Sequence, residues 1–182
     1  MTRLRFQKFI EPLLILLFLA ALGLLINEVD WIENTLGGTR LFFLALTGGG
    51  VLGLAAGAFF AFFRHDLLSG LSSPVTRSIA FTGGVALTLG FSFAAGASYF
   101  NRIQVQEARE VTFTVADKFY GRGQARTPRL VIQDELGGEE NIMVDRPFWN
   151  DVAAGDKIVL GVSRGAFGYD VVSLWAGDAL EK

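Results

Sequence analysis

The chain has no cysteine and a single histidine, His65, among its 182 residues. Without cysteine there are no disulfides, no thiolate nucleophile and no thiolate-ligated zinc. Cysteine absence does not select a compartment, because reduced cytosol and a bridge-free exported domain both permit it. One histidine rules out a cluster of imidazole ligands within one chain. The net charge of −2 gives no basic surface of the kind that nucleic acid favours. No G-x-x-x-x-G-K-[ST], H-E-x-x-H or G-x-S-x-G pattern occurs. No catalytic residue, metal or cofactor is therefore expected. Charge is also missing from two long runs, 41–63 and 78–100. Runs without an ionisable side chain weigh against a proton- or ion-coupled transporter.

What the chain has instead is apolar length. Half of it (51%) is hydrophobic, and three long apolar runs put it in the membrane class before any other. The expected spans cover about 9–27, 41–63 and 78–100. At ~1.5 Å per residue each is long enough for most or all of a ~30 Å hydrocarbon core. The basic start (Arg3, Arg5, Lys8) followed by an apolar run also fits a cleaved signal. An uncleaved first span is preferred, because Asn27-Glu28-Val29-Asp30 after the run has no small-residue cleavage site. Pro12 is expected in a first helical turn, with Glu11 a boundary residue. Residues 27–40 read as a short polar loop in which Trp31 suits a membrane interface.

Small residues organise these runs. Gly49, Gly53 and Gly57 recur every four residues and line one helix face, a groove that another helix can approach closely. The third run has two such stripes, one through Gly84 and Gly96 and one through Gly90. The expectation is a tight antiparallel hairpin of spans two and three, with a small-residue face left over for a homo-oligomer. Lys and Arg fix the orientation. Arg3, Arg5, Lys8, Arg64 and Arg77 lie on one side, and Arg40, Arg102 and Arg109 beside several acids on the other. The positive-inside rule places the amino terminus in the cytoplasm and residues 101–182 outside it. A bacterial inner membrane is the expected location.

From Asn101 onwards alternation replaces helical periodicity. Val111–Val115, Leu130–Gln133, Glu139–Val144, Lys157–Val162 and Tyr169–Trp175 read as strands. Pro147–Ala153 holds one helical turn with Asp145 a candidate cap. Strand, strand, strand, short helix, strand, strand is the order of a small OB-like barrel. The predicted fold is thus three transmembrane helices (1–100) followed by a small all-β, OB-like barrel domain (101–182).

The loop from Lys118 to Arg129 is the most suggestive soluble stretch. Lys118, Arg122, Arg126 and Arg129 are interleaved there with Tyr120 and two glycines. The first long loop of an OB-like barrel is a usual place for ligand contacts, so these five residues form the candidate site for an anionic ligand or partner. The carboxylates of 134–140 lack calcium-loop spacing and read as a solvated turn. Arg64-His65-Asp66 reads as a stop to the second span.

The stretch Val152-Ala-Ala-Gly-Asp-Lys-Ile-Val-Leu-Gly-Val-Ser-Arg-Gly-Ala-Phe-Gly168 resembles the endings of bacterial multi-span membrane proteins that carry a C-terminal small β domain. The layout, spans first and β domain last, is similar to short NfeD-type proteins. That resemblance implies a domain working with stomatin- or prohibitin-like scaffolds and contributes no catalytic residue. The expected function is a non-enzymatic, oligomeric accessory or binding module whose β domain engages a protein or envelope component. The alternative is a sensor-effector or channel, in which the β domain binds a small anionic ligand and the spans alter permeability.

Overall fold

The computed structural model describes residues 3–63, 73–121, 127–134 and 137–173. Three helices come first: α1 (Arg3–Glu33), α2 (Gly38–Phe63) and α3 (Pro74–Ile103). Each contains a stretch of 22 to 29 residues long and apolar enough to cross a membrane. All three helices run beyond the apolar cores that define the spans. Helix α1 continues to Glu33, so the polar loop expected over 27–40 shrinks to a connector of Asn34–Gly37, with Trp31 on the helix. Pro12 lies inside α1 rather than in its first turn. Polar residues such as Asn27 and Asp30 end a hydrophobic run without ending a helix, because their cost in a helix interior is small.

The chain divides into two compact units. One comprises Met1–Glu28 and Leu41–Ala97, the other Val29–Arg40 and Ser98–Lys182. In the helical unit, the glycine ladder of α2 faces α3. A Cβ on Gly49 would lie 2.6 Å from Leu89 O, one on Gly53 2.5 Å from Ala86 Cα, and one on Gly57 2.8 Å from Thr82 Cα. The partners descend in number as the glycines ascend, as they must in an antiparallel pair. Gly90 of α3 faces Leu46 in the same seam, whereas at Gly84 and Gly96 no described residue would lie within 4 Å of a Cβ. Phe60 stacks on Phe81, and Phe18 of α1 meets Phe91 of α3. Phe43, Phe59, Phe62 and Phe63 are exposed, as a lipid-facing surface would be.

The β unit contains a curled, antiparallel five-stranded sheet, a half-barrel. Its strands are β1 (Ala108–Tyr120), β2 (Pro128–Gln133), β3 (Glu139–Met143), β4 (Lys157–Arg164) and β5 (Asp170–Ser173), in the spatial order β3-β2-β1-β4-β5. The helical turn α4 (Arg146–Asp151) falls between β3 and β4, capped by Asp145, whose carboxylate accepts from Phe148 N. The alternation seen in the sequence becomes the core: Leu130 and Ile132 of β2 and Ile158, Leu160 and Val162 of β4 are buried on the concave side. β1 is longer than its Val-Thr-Phe-Thr-Val centre because it pairs with β4 through its first half and with β2 through its second.

A bulge makes that possible. The register of β1 on β2 shifts between Val115 and Asp117, leaving Ala116 without an opposite residue. An extra residue in one strand inverts the facing of everything after it. Phe113 and Val115 point into the core before the bulge. After it, Lys118 and Tyr120 take the inward positions.

Candidate functional site

The bulge determines what the candidate cations can do. Lys118, turned inward, donates from Nζ to the carbonyls of Trp149 (3.0 Å) and Val152 (2.7 Å), and its ammonium lies 4.3 Å from the centre of the Trp149 ring. Carbonyls at the end of a helix lack intrahelical donors and carry partial negative charge, so a cation there is favourably placed. Tyr120 packs on the other part of the same indole, ring centres 4.5 Å apart. Trp149 Nε1 in turn donates to Arg129 O at 3.2 Å. Lys118 and Tyr120 thus bind α4 to the sheet.

Arg129, one residue out of phase with Leu130, faces the other way. Its Nη2 contacts both carboxylate oxygens of Glu33, at 2.8 and 2.7 Å. The two side chains are only about a quarter exposed, 25% and 28%. Arg129 Nε is buried with no partner among the described residues. Gly121 provides the room: a Cβ there would come within 2.7 Å of that nitrogen. Of the five predicted site residues, then, the structure brings Lys118 and Tyr120 together around Trp149 and puts Arg129 on Glu33. Arg122 and Arg126 lie outside the described residues, as does His65.

The connector Asn34–Gly37 occupies the gap between the two edges of the half-barrel. On the β5 side it behaves as a strand. Val172 N donates to Asn34 O (2.9 Å) and Leu36 N to Asp170 O (2.8 Å), flanking a bridge between Thr35 and Val171. On the β3 side the bonds run through side chains: Met143 N donates to Asn34 Oδ1 (2.8 Å) and Gly37 N to Glu140 Oε1 (3.0 Å). Leu36 packs against the barrel core. Gly37 has φ +70°, a conformation that L side chains rarely adopt, and its α-carbon faces the Tyr169 ring.

The end of α3 is held at the turn between β4 and β5. Asn101, 1% exposed, donates from Nδ2 to Tyr169 O (2.9 Å), while its Oδ1 accepts from Phe167 N (3.0 Å). A side chain on Gly165 would overlap that carboxamide. Next to it, the Arg102 guanidinium lies over the rings of Trp31 (4.5 Å) and Tyr99 (5.3 Å).

Glu33, Asn34, Asn101 and Trp149 are the residues that sequence reasoning passed over. Only Asn101 carried a local signal, a carboxamide in the last turn of an apolar helix. The others matter through partners about 20 to 109 residues away. Among the described residues, no group of three His, Cys, Asp or Glu side chains converges as a metal site. No protein-family model, curated protein or solved structure matches the chain.

Proposed function

We propose that this chain is a non-enzymatic integral membrane protein, an oligomeric accessory or binding module whose β unit engages a protein or envelope component. One observation carries the reading. The β unit binds Asn34–Gly37 and Asn101 through hydrogen bonds, so it is built together with the ends of all three apolar helices rather than trailing from them on a linker. The strand order, with a helical turn between β3 and β4, supports an OB-like barrel whose open side is filled by the connector.

The same observation bears on topology. Asn34–Gly37 and the strands share one compact unit, so they lie on one side of any membrane, and α2 with α3 crosses it twice or not at all. The Lys and Arg distribution puts that side outside the cytoplasm, at a bacterial inner membrane. A periplasm-active reporter fused after Lys182 is expected to be active, and a cytoplasm-active one silent; the reverse would overturn the assignment.

The partner test follows from the geometry. Arg129 is bonded to Glu33, so replacing it perturbs the fold; Arg122→Ala with Arg126→Ala is the cleaner change. Cross-linking in cells followed by purification of the full chain should capture a partner with the wild type and lose it with the double variant. Unchanged capture would remove this loop from the interface.

A sensor-effector is the second reading, favoured by the same connector. A ligand that shifts β3 relative to β5 pulls on Asn34, and with it on the junction of α1 and α2.

A further inference from the structure

Resting on the reading of the three apolar helices as membrane spans, we infer that the turn between β4 and β5 is a further membrane contact, in which Phe167 enters the headgroup layer of the bilayer that the helices cross. The turn reads Gly165-Ala-Phe-Gly168. Chain reversals usually expose Asn, Asp or Ser, which water solvates and whose side chains bond the nearby backbone. Here Ala166, Phe167 and Gly168 are exposed, and Phe167 is an apolar tip, 54% accessible. A ring left in water forgoes the gain from burying apolar surface. Single exposed rings are common on protein surfaces, so its place decides what it means.

That place is set by the end of α3. Ala166 N donates to Asn101 O (3.3 Å) and Phe167 N to Asn101 Oδ1 (3.0 Å), while Asn101 Nδ2 donates to Tyr169 O. The turn thus closes around the side chain of Asn101, which directly follows Phe100, the last residue of the uncharged run 78–100. Tyr99 and Trp31 are both exposed, and Arg102 lies over both rings. Exposed Trp and Tyr at the ends of apolar helices mark the membrane–water interface. From Tyr99 to Asn101 the helix rises about 3 Å, whereas the headgroup layer is roughly 5 to 7 Å thick on each side of the hydrocarbon. The Phe167 backbone, one hydrogen bond from Asn101, therefore lies within that layer.

Its neighbours suit the same surroundings. Phe100, Ile103 and Val105 are exposed where the chain leaves α3. Arg164 reaches the turn from the end of β4, its Nη2 3.8 Å from where a Cβ on Gly168 would stand. A cation beside an apolar tip fits the boundary of a bilayer, which offers phosphate to the one and acyl chain to the other. Asp170, the nearest acid along the chain, is paired with Arg109.

Because the chain has no cysteine, one introduced thiol carries a spin label to a chosen position. Phe167→Cys is labelled in the full-length protein, in nanodiscs of phosphatidylcholine and phosphatidylglycerol. Its collisions with oxygen, which concentrates in lipid, are compared with those of a water-soluble nickel chelate. Two more single-cysteine variants bracket it: Val51→Cys, exposed midway along α2, and Ala154→Cys, exposed on the turn beyond the other end of β4. Val51 should report hydrocarbon and Ala154 water. Phe167 should report the level of the phosphates or just inside it, with nickel collisions several-fold fewer than at Ala154. If Val51 reports hydrocarbon and Phe167 matches Ala154, the turn lies in water and this proposal alone falls. If Val51 also reports water, the assignment of the spans falls with it.

A second substitution keeps an aromatic ring and identifies what touches it. With benzoylphenylalanine in place of Phe167, light should add the mass of one phospholipid to the chain in the membranes of the expressing cells. A cross-linked pair of chains would assign the turn to a second copy, and an adduct with another protein would assign it to a partner. No adduct, while the same probe at Val51 captures lipid, would leave the turn in water. Each of those three results overturns the proposal.

Discussion

The helical unit and the β unit both depend on glycine, but the space each glycine leaves is filled by different chemistry. In the helical unit, Gly49, Gly53 and Gly57 let the backbone of one helix lie against Leu89, Ala86 and Thr82 of the next. Nothing polar is needed, because in lipid close approach itself supplies the van der Waals attraction. In the β unit, Gly165 leaves space for the Asn101 carboxamide and Gly121 for the Arg129 guanidinium. There the missing Cβ admits a polar group that must find partners once buried. The first kind of contact is continuous along a face. The second is a point contact with fixed donors and acceptors.

Four changes, two of them with a companion variant, test how deep this contrast goes. Gly53→Leu should have the largest effect, about 3 kcal/mol or more, because the new side chain meets the Ala86 backbone and the helices must separate. The helical unit should melt at a lower temperature in detergent while β-unit hydrogen exchange stays as in the wild type; a β unit that unfolds as well would erase the distinction between the units. Gly165→Ala comes next, at about 2 to 3 kcal/mol, since even a methyl overlaps Asn101. Its effect should be confined to the β unit, and a double-mutant cycle with Asn101→Ala should show strong coupling; additive losses would mean that the two do not share a site.

Glu33→Gln should cost about 1 to 2 kcal/mol, less than a fully buried pair because water reaches both partners. Thermal unfolding of the β unit reads it. A companion change at the exposed pair of Arg109 and Asp170, Arg109→Ala, should cost less than about 0.5 kcal/mol, with the arginine 65% exposed. Equal effects at the two pairs would show that burial does not rank them. The smallest expected effect is that of Gly84→Ala, because no described residue approaches its Cβ position. Native mass spectrometry turns that small effect into information. A changed subunit number would show that this face packs between subunits, and an unchanged one would leave it to lipid.

Local pattern carried the elements and missed the joints between them. The five strands, the helical turn with its Asp145 cap, and the inward Ile158, Leu160 and Val162 follow from alternation and turn chemistry that neighbouring residues impose. The glycine ladder was legible for the same reason, since period four on a helix is a local property. The bulge at Ala116 was not, because a single extra residue has no signature when Val, Thr, Ala and Phe suit either register. It matters out of proportion, since it turned Lys118 from the open loop to the carbonyls of α4. The pairing of Arg129 with Glu33 was hidden by distance along the chain. An arginine beside a glycine-rich loop looks like a ligand contact until its carboxylate is found 96 residues earlier.

The connector also fixes an order of events during synthesis. Asn34 is made early, yet the Met143 amide that it binds follows 109 residues later, and β5 after that. Joining such distant segments requires most of the chain to be present and the loop-closure entropy to be met first, which makes the joint slow and late. Until then Asn34–Gly37 has no strands beside it and the half-barrel has two open edges. A chain interrupted before β5 therefore displays unpaired strand edges, the feature most prone to misassociation and most visible to quality control. Completion of the β unit is in this sense a record that the segments on either side of α2 and α3 have both been made.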